Sequence, residues 1–96
     1  MMKIYGNRTE NGVEITDMID SDNDIVYLSK DEKFDKFFAR VVMNKNTDKP
    51  AIAIFKWTEP FHAIFALDLK AKYTGRSNES FNRELENCFK EYGRCM

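Results

Sequence analysis

The chain has 96 residues, 43% of them hydrophobic, and 15 Lys and Arg residues against 16 Asp and Glu give it a net charge of −1. This length corresponds to one domain, and eight Phe, four Tyr and one Trp supply enough apolar area for a core without disulfides. The balanced charge excludes an overall basic nucleic-acid binder and an acidic nucleic-acid mimic, while leaving room for a local basic patch.

Cysteine and histidine are scarce. Cys88 and Cys95 are the only cysteines and His62 is the only histidine, and these three cannot complete a four-ligand zinc site. We therefore predict no metal and no cofactor. Two cysteines favour a reducing compartment, the N-terminus lacks signal-peptide features, and charges interrupt the apolar stretch 51–69. These features predict a single cytoplasmic domain over residues 1–96.

The N-terminal part predicts three short strands. They lie at 3–5, 13–18 and 25–28, and the second and third form a hairpin across an Asp-rich turn at 20–24. Alternate carboxylates in this turn resemble the start of a calcium loop, but Ile25 occupies the position that requires Gly. An acidic turn is therefore preferred to a calcium site.

A first amphipathic helix is predicted after this hairpin. Ser29 and Glu32 match a capping box, in which the hydroxyl and the carboxylate bind free amides of the first turn. Apolar residues then recur at helical spacing, at Phe34, Phe37, Phe38, Val41 and Val42. The end of this helix is left open, because the two valines could also begin a strand.

A β-hairpin over 51–57 and 61–73 is predicted to form the centre of the fold. With a three-residue loop, Phe55 pairs with Ala63 and the aromatic side chains of both strands share one face. The opposite face carries an aliphatic strip of Ile52, Ile54 and Ile64.

A second helix is predicted from Ser77 or Asn78 to a C-terminal cap at Gly93. Its apolar stripe consists of Phe81, Leu85, Cys88, Phe89 and Tyr92. The complete chain is thus predicted as α+β: a mainly antiparallel sheet of four to five strands with two amphipathic helices packed on one face, in the order ββ(β)αββα.

This arrangement predicts a partner-binding surface. If both helices cover the aromatic face, the strip of Ile52, Ile54 and Ile64 faces solvent with Lys56 and His62 at its rim, and an apolar patch with a polar rim is typical of an interface. The alternative is that other elements of the monomer cover the strip.

Other site chemistry is less well supported. Lys70, Lys72 and Arg76 could hold phosphate groups, which makes a nucleic-acid-binding domain the alternative function. His62 has no identifiable catalytic partner, and the four isolated glycines form no phosphate loop. The chain is therefore predicted not to be an enzyme, and a small-ligand cavity near Trp57 is a third hypothesis.

In length and in its richness in Lys, Asn, Asp, Ile and Phe, the chain resembles the small early proteins of phages and mobile elements. The resemblance implies a stoichiometric inhibitor of another protein. We accordingly expect a non-enzymatic protein-interaction module, an inhibitor or accessory protein that occludes its partner, and a homodimer through the same strip.

Overall fold

The structure is a computed structural model that describes residues 8–18, 26–58, 62–70 and 79–95. Its strands and helix are β1 (Ile15–Met18), β2 (Phe37–Asn44), β3 (Lys49–Lys56), β4 (Ala63–Asp68) and α1 (Glu79–Cys95). The strands form one antiparallel sheet in the order β1-β2-β3-β4, and α1 packs on one face of it. The α+β class is confirmed. Three predicted features lie outside the described residues: the strand over residues 3–5, the turn over residues 20–24 and the helix cap at residue 77 or 78.

The predicted arrangement of strands and two helices is wrong, because the first helix is absent and β2 occupies its place. In β2 the side chains of Phe37, Ala39 and Val41 face α1, whereas Phe38 and Val42 face the other side of the sheet. A strand buried on both faces has a nearly continuous apolar sequence. In such a strand apolar residues also occur at helical spacing by coincidence. The open alternative, a strand that begins at the valines, is right only in placing both valines in a strand, because β2 already begins at Phe37.

The capping signal before β2 forms only one turn of 3₁₀ helix, Glu32–Phe34. Asp31, rather than Ser29, is the cap: its side chain accepts a hydrogen bond from the Lys33 amide at 3.2 Å. The turn ends where Phe34 enters the core. One such turn reverses the chain into β2 instead of starting a long helix.

The β3–β4 hairpin keeps one predicted pair but contains an unpredicted bulge that changes the register beyond it. Phe55 pairs with Ala63 as predicted, but the register shifts between Ile54 and Phe55, so that Ile54 pairs with Phe65. Because side chains alternate along a strand, a shift of one residue changes their face. The bulge therefore moves Phe65 onto the same face as Ile54.

The apolar stripe predicted for the C-terminal helix is confirmed, and α1 buries Phe81, Leu85, Cys88, Phe89 and Tyr92. These side chains cover what we call the isoleucine face of the sheet, which carries Ile52, Ile54 and Phe65. Rings from three segments of the chain meet there: Phe34 lies 5.2 Å from Phe89, and Phe65 lies 5.5 Å from Tyr92, between centroids.

The predicted end of this helix at Gly93 is wrong, because α1 continues to Cys95. A Cβ atom at Gly93 would lie 3.1 Å from Cζ of Phe34. The glycine therefore serves close packing of an aromatic ring against the helix backbone.

The other side of the sheet, which we call the alanine face, forms a second core. Its residues are Phe38, Val42, Ala51, Ala53, Phe55, Ala63 and Ala66, with Ile15 packed among them. Each of these is at most 2% exposed. Apart from Arg40, which lies between Phe38 and Val42 in β2 and is 4% exposed, the central strands are apolar on both sides between their terminal residues and do not alternate with polar residues.

The pairing partner of β1 also differs from the prediction. β1 pairs with β2 and not with the described residues 26–28 of its predicted partner, whereas Tyr27 exchanges two backbone hydrogen bonds of 2.9 Å with Ala39 of β2. At the opposite edge of the sheet, which β4 forms, the backbone amide of Glu10 donates a hydrogen bond to the carbonyl of Ile64. The side chain of Asn11 binds both the carbonyl and the amide of Ala66.

Candidate partner-binding surface

The aliphatic strip predicted to bind a partner does not face solvent. Ile52 and Ile54 are 1% and 0% exposed beneath α1, and Ile64 is half-buried against the same core. The expectation failed because the bulge and the single helix place the isoleucines, rather than the aromatic side chains of β3, under the helix. Lys56 and His62 are exposed, so only the polar members of the predicted site are accessible.

Among the described residues, the large apolar side chains that are exposed are Val26, Leu28 and Trp57, at 39%, 58% and 46%. We call these three the Trp57 surface. Sequence reasoning placed Trp57 in the core beside the helices. Its position directly after the last strand residue, Lys56, is the only signal that could have indicated exposure.

The three side chains belong to one end of the alanine face. The Tyr27 ring lies on the α1 side, 6.4 Å from Phe89, so alternation along an extended backbone directs Val26 and Leu28 to the other side. Pairing of Tyr27 with Ala39 then places Leu28 beside Phe38. Trp57 packs on the same Phe38 ring, 4.2 Å between centroids.

Trp57 is held by both its ring and its backbone. Phe38, which supports the indole, stacks on Phe55 at 5.2 Å with an interplanar angle of 17°. The Trp57 amide donates to the carbonyl of Lys36 at 3.1 Å. A half-exposed aromatic ring on a buried support loses little conformational entropy on binding, which suits it to be an anchor of an interface.

A pocket of about 490 Å³ adjoins the indole at this end of the sheet. It is lined by Asp35, Lys36, Phe37, Lys56, Trp57 and Thr58. We call it the Trp57 pocket. Phe37 and Trp57 are its aromatic lining residues, and its charged lining residues within the described part of the chain are two exposed lysines and one exposed aspartate. Such a site is suited to an apolar side chain with negative charge nearby.

The segment that carries Leu28 is attached to α1 through Glu86. One carboxylate oxygen accepts from the Tyr27 hydroxyl at 2.7 Å and from the Lys30 amide at 3.0 Å, and the other accepts from the Ser29 hydroxyl at 2.7 Å. Together these bonds hold residues 27–30 against the helix.

The local environment lowers the pKa of Glu86 and raises the pKa of Tyr27. Burial alone would raise the pKa of Glu86, but hydrogen bonds from Tyr27, Lys30 and Ser29 outweigh it, so the pKa lies below its usual value. Burial and the hydrogen bond to this carboxylate raise the pKa of Tyr27 to about 12. At neutral pH the pair is thus an ionised acceptor and a neutral donor.

The basic residues of the alternative nucleic-acid site are only partly described, since Lys72 and Arg76 lie outside the described residues. Lys70 is exposed, and its amide donates to Glu84 at 2.7 Å. The groove beside it, between β4 and α1, also contains Arg83, but three carboxylates, Asp68, Glu84 and Glu91, line the same groove. Carboxylates that surround a lysine oppose phosphate binding.

Neither the Cys88 thiol nor a cluster of metal-ligating side chains among the described residues gives a second candidate site. Cys88 is buried, and burial raises the pKa of its thiol to about 12, which removes it as a nucleophile. Across the part of the chain that the structure describes, no three His, Cys, Asp or Glu side chains are arranged to hold a metal ion. Nor does any helix within those residues have the length and apolar run needed to cross a membrane.

No family model, no curated protein and no solved structure matches this chain. The Trp57 surface and its pocket are therefore the features on which a functional proposal depends.

Proposed function

We propose that this chain is a non-enzymatic protein-interaction module, an inhibitor or accessory protein that occludes its partner through the Trp57 surface. The observation that carries the proposal is the rigidly supported, half-exposed indole of Trp57, with Leu28 on the other side of Phe38. Exposed apolar side chains grouped on one face, with lysines at the rim, resemble the centre of an interface.

The compositional resemblance to small phage proteins supports the inhibitor class and a cytoplasmic site of action. Occlusion requires only a rigid scaffold with one adhesive surface, and a sheet with a core on each side supplies such a scaffold. Either another protein or a second copy of the chain could cover the surface, so a homodimer belongs to the same proposal.

The test is affinity capture from the native host with wild-type protein, Trp57→Ser, Leu28→Ser and a control, Thr47→Ala. Thr47 is exposed in the β2–β3 turn, about 25 Å along the sheet from Trp57 at the usual rise per residue. We expect Trp57→Ser to weaken association by at least about 2 kcal/mol, roughly thirtyfold in Kd, as truncation of an interface anchor does.

Circular dichroism must show that each variant is folded, and sedimentation equilibrium separates self-association from capture of another protein. Retention of the captured protein by both serine variants at wild-type affinity would remove the Trp57 surface as the binding site.

A further inference from the structure

Resting on the proposed function, we infer that the partner is another protein with an acidic segment, whose apolar side chain enters the Trp57 pocket beside its own carboxylates. This occupant is distinct from a second copy of the chain. The inference depends on the size, the walls and the charges of the pocket.

The dimensions fit a side chain. At about 490 Å³ the pocket lies towards the small end of ligand-binding cavities. Phe37 and Trp57, which lie on opposite faces at the end of the sheet, both line the pocket, so an inserted aliphatic or aromatic group lies beside aromatic residues. Buried aromatic contacts of this kind provide most of the affinity in peptide recognition.

The rim charges select the flanking residues of the partner. Lys36 and Lys56 are both exposed and line the pocket together with one aspartate, Asp35. The rim is therefore positive although the chain as a whole carries a net charge of −1. Acidic residues on either side of the inserted side chain complement these two lysines and accelerate association.

A second copy is a poor occupant because of symmetry. In a two-fold dimer the same patch faces itself, so two patches that each carry Lys36 and Lys56 against one aspartate would be brought together. Like charges at an interface oppose association. A head-to-tail arrangement avoids this repulsion, but it produces rings or open filaments instead of a two-fold dimer.

A single-stranded nucleic acid also combines stacking on aromatic rings with binding to lysines, but it needs a positive groove that follows its backbone. Two lysines beside an aspartate do not form such a groove. An acidic peptide needs only the charges that the pocket has.

The experiment is selection from a random-peptide display library with two baits: the wild-type chain and the Lys36→Glu/Lys56→Glu variant. We expect the wild-type chain to enrich peptides with an apolar residue flanked by Asp and Glu. The charge-reversed chain should enrich the same apolar residue flanked by Lys and Arg. Wild-type peptides should bind the variant at least about tenfold more weakly, with the difference decreasing at high salt.

Each selected peptide is then measured against Trp57→Ser and Thr47→Ala. Peptides that require Trp57 but show no acidic preference, or no switch on charge reversal, overturn the inference and leave the Trp57 surface intact. If no selected peptide requires Trp57, the proposed function fails at this surface. Trp57-dependent dimerisation in sedimentation, or tighter binding of a random-sequence oligonucleotide than of the selected peptides, would assign the pocket to the other occupants.

Discussion

Glu86 shows how one side chain on α1 controls the position of a distant exposed residue. Its carboxylate accepts hydrogen bonds from Tyr27, Ser29 and the Lys30 amide, and Leu28 lies between these donors in the chain. The charge on Glu86 therefore stabilises the segment that forms one side of the Trp57 surface. Hydrogen bonds to an ionised acceptor are about twice as strong as neutral ones.

We predict that Glu86→Gln destabilises the fold by about 1–2 kcal/mol at pH 7, because the amide keeps the shape of the group but loses its charge. The pKa of Glu86 is lower in the folded state than in the unfolded chain. Its contribution is therefore present above the unfolded value and is lost as pH falls through the folded value. The difference from wild type should shrink in acid when urea unfolding is followed over a pH series.

The matched control is Glu79→Gln on the same helix, which removes an exposed carboxylate paired with Arg83 at 3.1 Å. It should change the free energy of unfolding by less than about 0.5 kcal/mol. Identical acid profiles for wild type and Glu86→Gln would contradict the role assigned to the carboxylate.

On the alkaline side, the pKa of Tyr27 is raised to about 12 in the folded state. Stability should therefore decrease as pH rises from the pKa of tyrosine in the unfolded chain towards 12.

At the scale of elements, the edge of β4 is closed by residues 10 and 11. The Asn11 side chain donates to Ala66 O at 2.5 Å and accepts from the Ala66 amide at 3.3 Å, and the backbone amide of Glu10 donates to Ile64 O at 2.9 Å. An asparagine side chain thus takes the place of a neighbouring strand. An open strand edge is a site for pairing with other chains.

We predict that Asn11→Ala costs about 1–2 kcal/mol, because the backbone groups of Ala66 lose both side-chain partners. It should also increase self-association at high concentration, since the freed edge can pair with another copy. Urea unfolding and sedimentation velocity measure the two effects. Thr47→Ala is the control, and a variant with wild-type stability and sedimentation would show that Asn11 does not protect this edge.

The elements that could be predicted from sequence are those whose patterns have one explanation. The stripe from Phe81 to Tyr92 has helical spacing only, and it forms α1. The run from Phe37 to Val42 satisfies both a helix and a strand with two buried faces, so its spacing could not decide between them. The run forms a strand because the rest of the protein buries both of its faces.

At the scale of the molecule, the bulge and the absence of the first predicted helix explain why the surface that we propose for partner binding could not be predicted. The hairpin was predicted with the correct pairing of Phe55 and Ala63, but the shift beyond it reverses the face of Phe65. Register irregularities of one residue leave little trace in a single sequence. Lys56 and His62 were correctly expected at the surface, whereas the isoleucines are enclosed and Trp57 is not.

The most direct test of this account is the urea unfolding midpoint of Ile54→Asp compared with that of Trp57→Asp, followed by far-UV circular dichroism. Ile54 is 0% exposed and Trp57 is 46% exposed. We predict that a carboxylate at position 54 costs at least about 4 kcal/mol, a large part of the stability of a domain this size. Trp57→Asp should cost only about 1–2 kcal/mol, from lost packing on Phe38. A wild-type midpoint for Ile54→Asp, or unfolding of Trp57→Asp to the same extent, would contradict the account.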